Sequence, residues 1–427
     1  MKKNKLEKYS SYKDSGINWV GNLPSHWKLV RIKHLFEISK KYSKDKKPNV
    51  LSLTQKGIVE RDISNNEGQL AQSYVGYNII EKDDIVFNPM DLIAGYVAKS
   101  KYNGVISHAY TTLKSLKKID LNFYEHYFQN WYHQGVLFHL GKGVSTDNRW
   151  TLNNNSLMNL VIPIVPIDES NKIVNYINAK TAQIDEVISQ KQKLIELLKE
   201  RKQIVINDAV TKGLDKNVEF VDSGVEWIGK IPKHWNVEKG KRLFQQMKRP
   251  VREQDEIVTC FRDGEVTLRT NRRTDGFTNA LKEHGYQGIR KGDFVLHNMD
   301  AFAGAIGISD SDGKSTPVYS VCRPWDENIV FSEYYARYLR NLALQDFILS
   351  LAKGIRERST DFRFKDFGEL EYPLPPKDEQ IQIVEYIESQ TTKIDKAIEL
   401  QQNYISKLKE YKVSLIDSVV TGKVRVV

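Results

Sequence analysis

Two kinds of hydrophobic periodicity alternate along this chain. Short apolar runs rich in β-formers, broken by Gly, Asn and Asp, stand at 50–53, 85–87 and 110–113 and again at 257–261, 294–296 and 319–322, which predicts strands. Residues 121–134 and 331–345 place aromatic and aliphatic side chains three and four apart, so each set of strands is followed by one sizeable helix. The period then changes to seven. Ile177, Ile184, Lys191, Leu198 and Val205, flanked by Ile188 and Ile195, form one seam, and Ile387, Ile394, Gln401, Leu408 and Leu415, flanked by Ile398 and Ile405, form another. These seams predict two coiled-coil helices of forty-odd residues, each roughly 60 Å long at about 1.5 Å per residue. Each is expected to follow an extended proline connector (Pro163 and Pro166, or Pro373, Pro375 and Pro376). Asp168 or Asp378 would serve as N-cap, Glu169 or Glu379 would sit at the positive end of the dipole, and Gly213 or Gly422 would stop the helix.

The two sets are copies. Asp14-Ser15-Gly16, Trp19, Gly21, Pro24, His26-Trp27, Lys33 and Leu35-Phe36 recur 208 positions later as Asp222-Ser223-Gly224, Trp227, Gly229, Pro232, His234-Trp235, Lys241 and Leu243-Phe244. Asp84, Val86, Met90-Asp91, Ala94-Gly95 and Tyr110 return at an offset of 209 as Asp293, Val295, Met299-Asp300, Ala303-Gly304 and Tyr319. Pro163, Pro166, Asp168-Glu169, Ile173-Val174, Tyr176-Ile177, Ile184-Asp185 and Thr211 match Pro373, Pro376, Asp378-Glu379, Ile383-Val384, Tyr386-Ile387, Ile394-Asp395 and Thr421 at 210. One unit is therefore written twice, and a missed repeat would have miscast the fold. The expected class is α+β, with two globular modules related by a pseudo-twofold and two long antiparallel helices between them. The boundaries are a first module at 1–160, connector and helix at 161–213, a second module at 214–370, and connector and helix at 371–427. Lys191 and Gln401, the polar residues of the two seams, are expected to meet near the axis and set register, the alternative being a solvated edge.

Composition narrows the class. At 427 residues the chain is long for a single core, which agrees with the duplication. The most apolar stretch, 160–167, is interrupted by Pro163 and Pro166, so no membrane span is expected. The basic N-terminus lacks the apolar run of a secretory signal, which points to the cytoplasm. Cys260 and Cys322 are too few for a disulfide framework or a four-ligand zinc site and read as two buried thiols. An excess of 64 Lys and Arg over 54 Asp and Glu gives a net charge of +10, which makes a polyanion, nucleic acid above all, the leading class of partner.

Candidate chemistry is sparse. The two Trp-bearing motifs suit packed turns better than base-stacking platforms, because Gly, Pro and Trp at fixed spacing build turns. Polar, basic stretches outside the hydrophobic pattern are the better nucleic-acid candidates. Lys142 and Arg149, beside Trp150, precede the first proline connector, and Lys353, Arg356, Arg358, Arg363 and Lys365 stand in the matching place of the second copy. Arg61 and the group Arg269, Arg272 and Arg273 follow Gly57 and Gly264 in matched loops, and Lys40, Lys41, Lys44, Lys46 and Lys47 cluster near Tyr42. Arg can read guanine through two hydrogen bonds, whereas Lys meets phosphate as a point charge; a solvated surface cation is the plain alternative for each. Phe87-Asn88-Pro89-Met90 faintly suggests an amino-methyltransferase site, but the second copy has Leu296-His297-Asn298-Met299 and neither copy has a strand followed by a glycine-rich cofactor loop. The nine histidines show no metal-binding spacing. Binding without catalysis is the expectation.

The duplicated Asp-Ser-Gly-x-x-Trp-x-Gly-x-x-Pro-x-His-Trp opening, the proline segments and the paired helices together resemble the specificity subunit of type I restriction-modification systems, over essentially the whole chain. The resemblance implies that each module is a target recognition domain for one half of a bipartite duplex DNA site, and that the helices set the spacing and dock two methyltransferase subunits. It further implies restriction subunits that translocate and cut, with S-adenosylmethionine, ATP and Mg held by the partners and no cofactor in this chain. The rivals are a coiled-coil adaptor with protein-binding heads and a divergent methyltransferase or nuclease.

Overall fold

The computed structural model describes residues 6–45, 48–63, 71–93, 96–142, 150–272, 283–351 and 361–427. The chain divides into two compact units, residues 1–191 with 402–427, and residues 192–401. Each holds one module together with the adjoining parts of both long helices.

In the first unit Val97–Lys99, Ile85–Phe87, Thr111–Ser115 and Phe36–Ile38 form a four-stranded antiparallel sheet in that order. The second unit repeats it with Ile306–Ile308, Phe294–His297, Tyr319–Pro324 and Phe244–Gln246. The central strands are apolar at successive positions because both faces are covered. Ile85 and Phe87 point into the main core with Phe36, Phe123 and Phe128, while Val86 points the other way to Leu51, Ile58, Ile80 and Ile106 from two short antiparallel strand pairs. Phe294 and Leu296 against Val295 show the same division in the second unit. The late helices run over Leu121–His133, capped by the Asp120 carboxylate on the Asn122 amide at 3.0 Å, and over Ser332–Leu344.

The long helices are Ile167–Lys212 and Lys377–Val420. They start one residue or more earlier than a cap at Asp168 or Asp378 would require, because the carbonyls of Pro166 and Pro376 already accept the amides of Glu169 and Glu379, each at 3.0 Å. The aspartates therefore lie within the first turn. The proline segments are extended but not free connectors. Val161–Ile164 pairs with Lys28–Arg31, and Glu371–Leu374 pairs with Asn236–Lys239, in the same register in each unit. Gly213 and Gly422 follow the helices with φ of +74° each, the left-handed conformation that ends a helix.

Within each unit the start of one long helix lies antiparallel to the end of the other. In the first, Ile173, Ile177 and Ile184 share a core with Leu415, Val419 and Val420, and Lys412 Nζ meets Asp185 at 2.7 Å. In the second, Ile383 and Ile387 share a core with Ala209 and Val210, and Lys202 Nζ meets Asp395 at 2.7 Å, the same pair by the repeat offset of 210. The Lys191 ammonium lies 4.4 Å from the centroid of the Tyr404 ring, in the first unit.

Candidate DNA interface

The Trp motifs hold the helices. Trp27 is wholly buried, edge-on to Phe123, and its indole N–H donates to Glu169 in the first turn of the first long helix at 3.2 Å. His26 Nε2 contacts the other oxygen of the same carboxylate at 2.7 Å, and the Tyr9 hydroxyl donates to it at 2.6 Å. Burial, then the Glu169 carboxylate, raises the Tyr9 phenol well above its ordinary range. In the second unit Trp235 and His234 meet Glu379 at 3.0 and 2.8 Å. The end of the other long helix closes on the same spot. A Cβ on Gly422 would stand 3.0 Å from the Trp27 ring, and one on Gly213 would stand 3.2 Å from that of Trp235. Trp27 and Trp235 thus belong to helix-end clasps, with their indole donors spent inside the protein, whereas Trp19 is exposed.

A groove of 640 Å³ in the second unit has a different character. Five separate segments line it: Gln246 at the end of one sheet strand with Lys248 and Arg249, Tyr286 and Gln287, Asn298, Tyr319 and Ser320, and Arg363, Phe364 and Lys365. Among the described residues four cations line it and no carboxylate does. Two other concavities of that unit, of 820 and 310 Å³, each contain at least three carboxylates, among them Glu200, Asp208 and Asp215 in one and Asp263, Glu265 and Glu333 in the other. Lys248 and Lys365 are exposed and have no carboxylate partner among the described residues, whereas Arg249 is tied back to the fully buried Asp293 through both nitrogens, at 2.5 and 3.2 Å. Arg323 shares that aspartate at 2.7 Å. Arg363 pairs through Nε with its neighbour Asp361 at 2.6 Å. The groove combines exposed ammoniums, an arginine, amides and aromatic rings, the set that meets phosphates and base edges.

The first module carries the same frame. The Ile79 amide donates to the Lys41 carbonyl at 2.9 Å as Gly288 does to Arg249, and the Leu152 amide donates to Pro89 at 2.9 Å as Phe362 does to Asn298 at 3.0 Å. Asn78 Nδ2 donates to the Tyr110 carbonyl at 2.9 Å as Gln287 Nε2 does to Tyr319 at 2.7 Å. Lys40, Tyr77 and Asn153 to Asn155 therefore occupy the places of Lys248, Tyr286 and Arg363 to Lys365. Where the second unit pairs Arg249 and Arg323 with the buried Asp293, the first has an exposed cluster: Lys41 and Lys114 bind Glu81 at 2.7 and 2.5 Å, and these ammoniums, Lys114 foremost, hold its carboxyl down to about 2.

The residues singled out from sequence separate into three sets. Arg363 and Lys365 line the groove, and Lys142, exposed, is joined by backbone bonds to Thr151 beside the matching wall of the first module. Arg269 and Arg272 do not line it, and Arg61 belongs to the first unit. Arg272 is engaged by Asp263 and Glu265 at 2.7 and 2.9 Å and stacks 4.2 Å from the Phe261 centroid, Arg269 Nε reaches Thr259 Oγ1 at 3.4 Å, and Arg61 is half-buried. Arg149, Arg273, Lys353, Arg356 and Arg358 lie outside the described residues. Sequence reasoning missed Lys248, Tyr286 and Asn298, although Lys40-Lys41 and Lys248-Arg249 form a matched basic pair four residues past Phe36 and Phe244. Among the described residues no cluster of His, Cys, Asp and Glu could hold a metal, and no helix is long and apolar enough to cross a membrane.

Comparison with known proteins agrees with this layout. Residues 24–197 match the family model of the type I restriction modification DNA specificity domain. The chain is 24% identical over 442 residues to the type I restriction enzyme MjaVIII specificity subunit of Methanocaldococcus jannaschii, with 97% of each chain covered. It is also 24% identical to the EcoBI specificity subunit of Escherichia coli, over 74% of this chain and 69% of that one. Its fold resembles the HsdS subunit of Thermoanaerobacter tengcongensis (TM-score 0.56, 15% identity, 94% of this chain and 98% of that one). A chain solved in work on complex assembly and conformational transition of the type I R-M system gives a TM-score of 0.65 at 14% identity, over 93% and 98%.

Proposed function

For a chain that belongs to the family of type I restriction-modification specificity subunits, we propose that each α+β module reads one half of a bipartite duplex DNA target. The observation that carries this reading is the groove of the second unit, lined among the described residues by four cations and no carboxylate, on a frame that the first unit repeats. Phosphates neutralised by Lys248 and Lys365 would release counterions and supply affinity, and the amides, rings and Arg363 would face base edges. The chain itself acts as a recognition subunit without catalysis. Two methyltransferase subunits dock on the long helices and bring S-adenosylmethionine; restriction subunits bring ATP and Mg. The complex works on DNA in the cytoplasm.

The experiment is to express this chain with its methyltransferase partner in a host lacking other methylation and to map modified bases across the genome. A two-part motif with a fixed unspecified gap is expected. Modification without such a motif, or at a single continuous site, would overturn the reading.

A further inference from the structure

Two modules that read different half-sites must share what positions DNA and differ in what reads bases, since phosphate contacts carry no sequence and base-edge contacts do. The internal duplication allows that division to be made within one molecule. The matched backbone and amide bonds of the groove wall, the exposed Lys40 and Lys248, and the half-buried Tyr77 and Tyr286 are common to both copies.

The wall at 361–365 and its counterpart at 151–155 differ. It is held at the same point in each unit, by Phe362 N on the Asn298 carbonyl and by Leu152 N on that of Pro89. Its next residues meet the same sheet position: Phe364 N donates to Ser320 Oγ at 3.1 Å, and Thr111 Oγ1 donates to Asn154 Oδ1 at 2.7 Å. On this fixed support Arg363 and Lys365 replace Asn153 and Asn155, and all four side chains are exposed; Asn153 Oδ1 accepts from the Ser156 amide at 2.8 Å and Asn155 Oδ1 from Asn159 Nδ2 at 2.9 Å, whereas Arg363 is bonded to Asp361 through Nε. The change in chemistry replaces a guanidinium, whose paired donors suit O6 and N7 of guanine, by amides whose oxygens are bonded within their own helix, so that the two walls present different groups to a base edge.

We propose that these wall residues, Arg363 and Lys365 in the second module and Asn153 and Asn155 in the first, are the determinants that make the two half-sites differ. The proposal rests on the DNA-specificity reading. It assigns a guanine-containing step to the second wall and a different base step to the first. Lys40 and Lys248 serve phosphate in both.

The test is selection from a pool of duplexes with two randomised blocks, using the full chain in complex with its methyltransferase subunits. R363N/K365N is expected to lower discrimination about tenfold at one or two bases of one half, leaving the other half and the gap unchanged. K248A is expected to weaken recovery evenly over all sequences and keep the motif. If R363N/K365N abolishes enrichment, N153R/N155K asks the same of the other half. Binding retained with an unchanged motif in either variant overturns the assignment, as does loss of all enrichment in both. Failure of the wild-type complex to select any bipartite motif would instead remove the underlying function.

Discussion

Replacing Glu169 by Ala tests how the modules grip the helices. The carboxylate has three donors: Tyr9 at 2.6 Å, His26 at 2.7 Å and Trp27 at 3.2 Å. His26 is 49% exposed, so water replaces that contact at little cost. The indole of Trp27 is wholly buried, and leaving its N–H unpaired costs about 1–3 kcal/mol. The buried Tyr9 hydroxyl loses a bond to a charged acceptor, which is typically about 1.5–3 kcal/mol, of which rehydration at the edge of the protein returns part. The expected total is about 3 kcal/mol. At the matching site Asn217 stands 208 positions after Tyr9, and Glu379 has His234 and Trp235 as its donors, so Glu379→Ala should cost about 2 kcal/mol. Hydrogen exchange by mass spectrometry reads both in one chain, because each loss opens its own unit. Peptides from the first turns of the helix at Glu169 should exchange roughly 100-fold faster in Glu169→Ala, with Glu169→Gln intermediate since an amide keeps one acceptor. Equal effects at the two sites, or less than about 0.5 kcal/mol at either, would refute the clasp.

Two further outcomes follow from burial and from the chemistry of the site. Burial pushes the thiols of Cys260 and Cys322 well above their ordinary range, so neither should react with a disulfide reagent in the folded chain and both should in denaturant; stoichiometric labelling of the native protein would contradict their placement. The isolated chain should bind no S-adenosylmethionine by calorimetry; stoichiometric binding would move it into the enzyme class.

The fold was largely legible because each level of pattern agreed with the next. Runs at 85–87 and 294–296 became central strands, and the seven-residue seams became helices ending at Lys212 and Val420, beside the glycines that stop them. Pairing was less legible. The prolines at 163 and 373 mark extended backbone, but that they sit in two-stranded ladders with partners more than 130 residues away depends on tertiary closure. The same holds for Glu169, whose place at a helix start was readable while its partners at Tyr9, His26 and Trp27 were not. The site was legible in part, since Arg363 and Lys365 stood out as a basic cluster, yet the groove takes its other walls from residues near 248, 286 and 298. Arg272 shows the opposite failure, because a cation conspicuous in sequence is neutralised by Asp263 and Glu265 across its own hairpin.

The central claim is that the two modules read DNA separately, and exchange of one module tests it most directly. Residues 214–370 would be replaced by the corresponding module of a relative with a different target, and modified bases mapped in cells expressing the hybrid with its methyltransferase partner. One half of the motif should change to that of the donor while the other half and the unspecified gap remain. A hybrid that is active but alters both halves, or neither, would contradict the account.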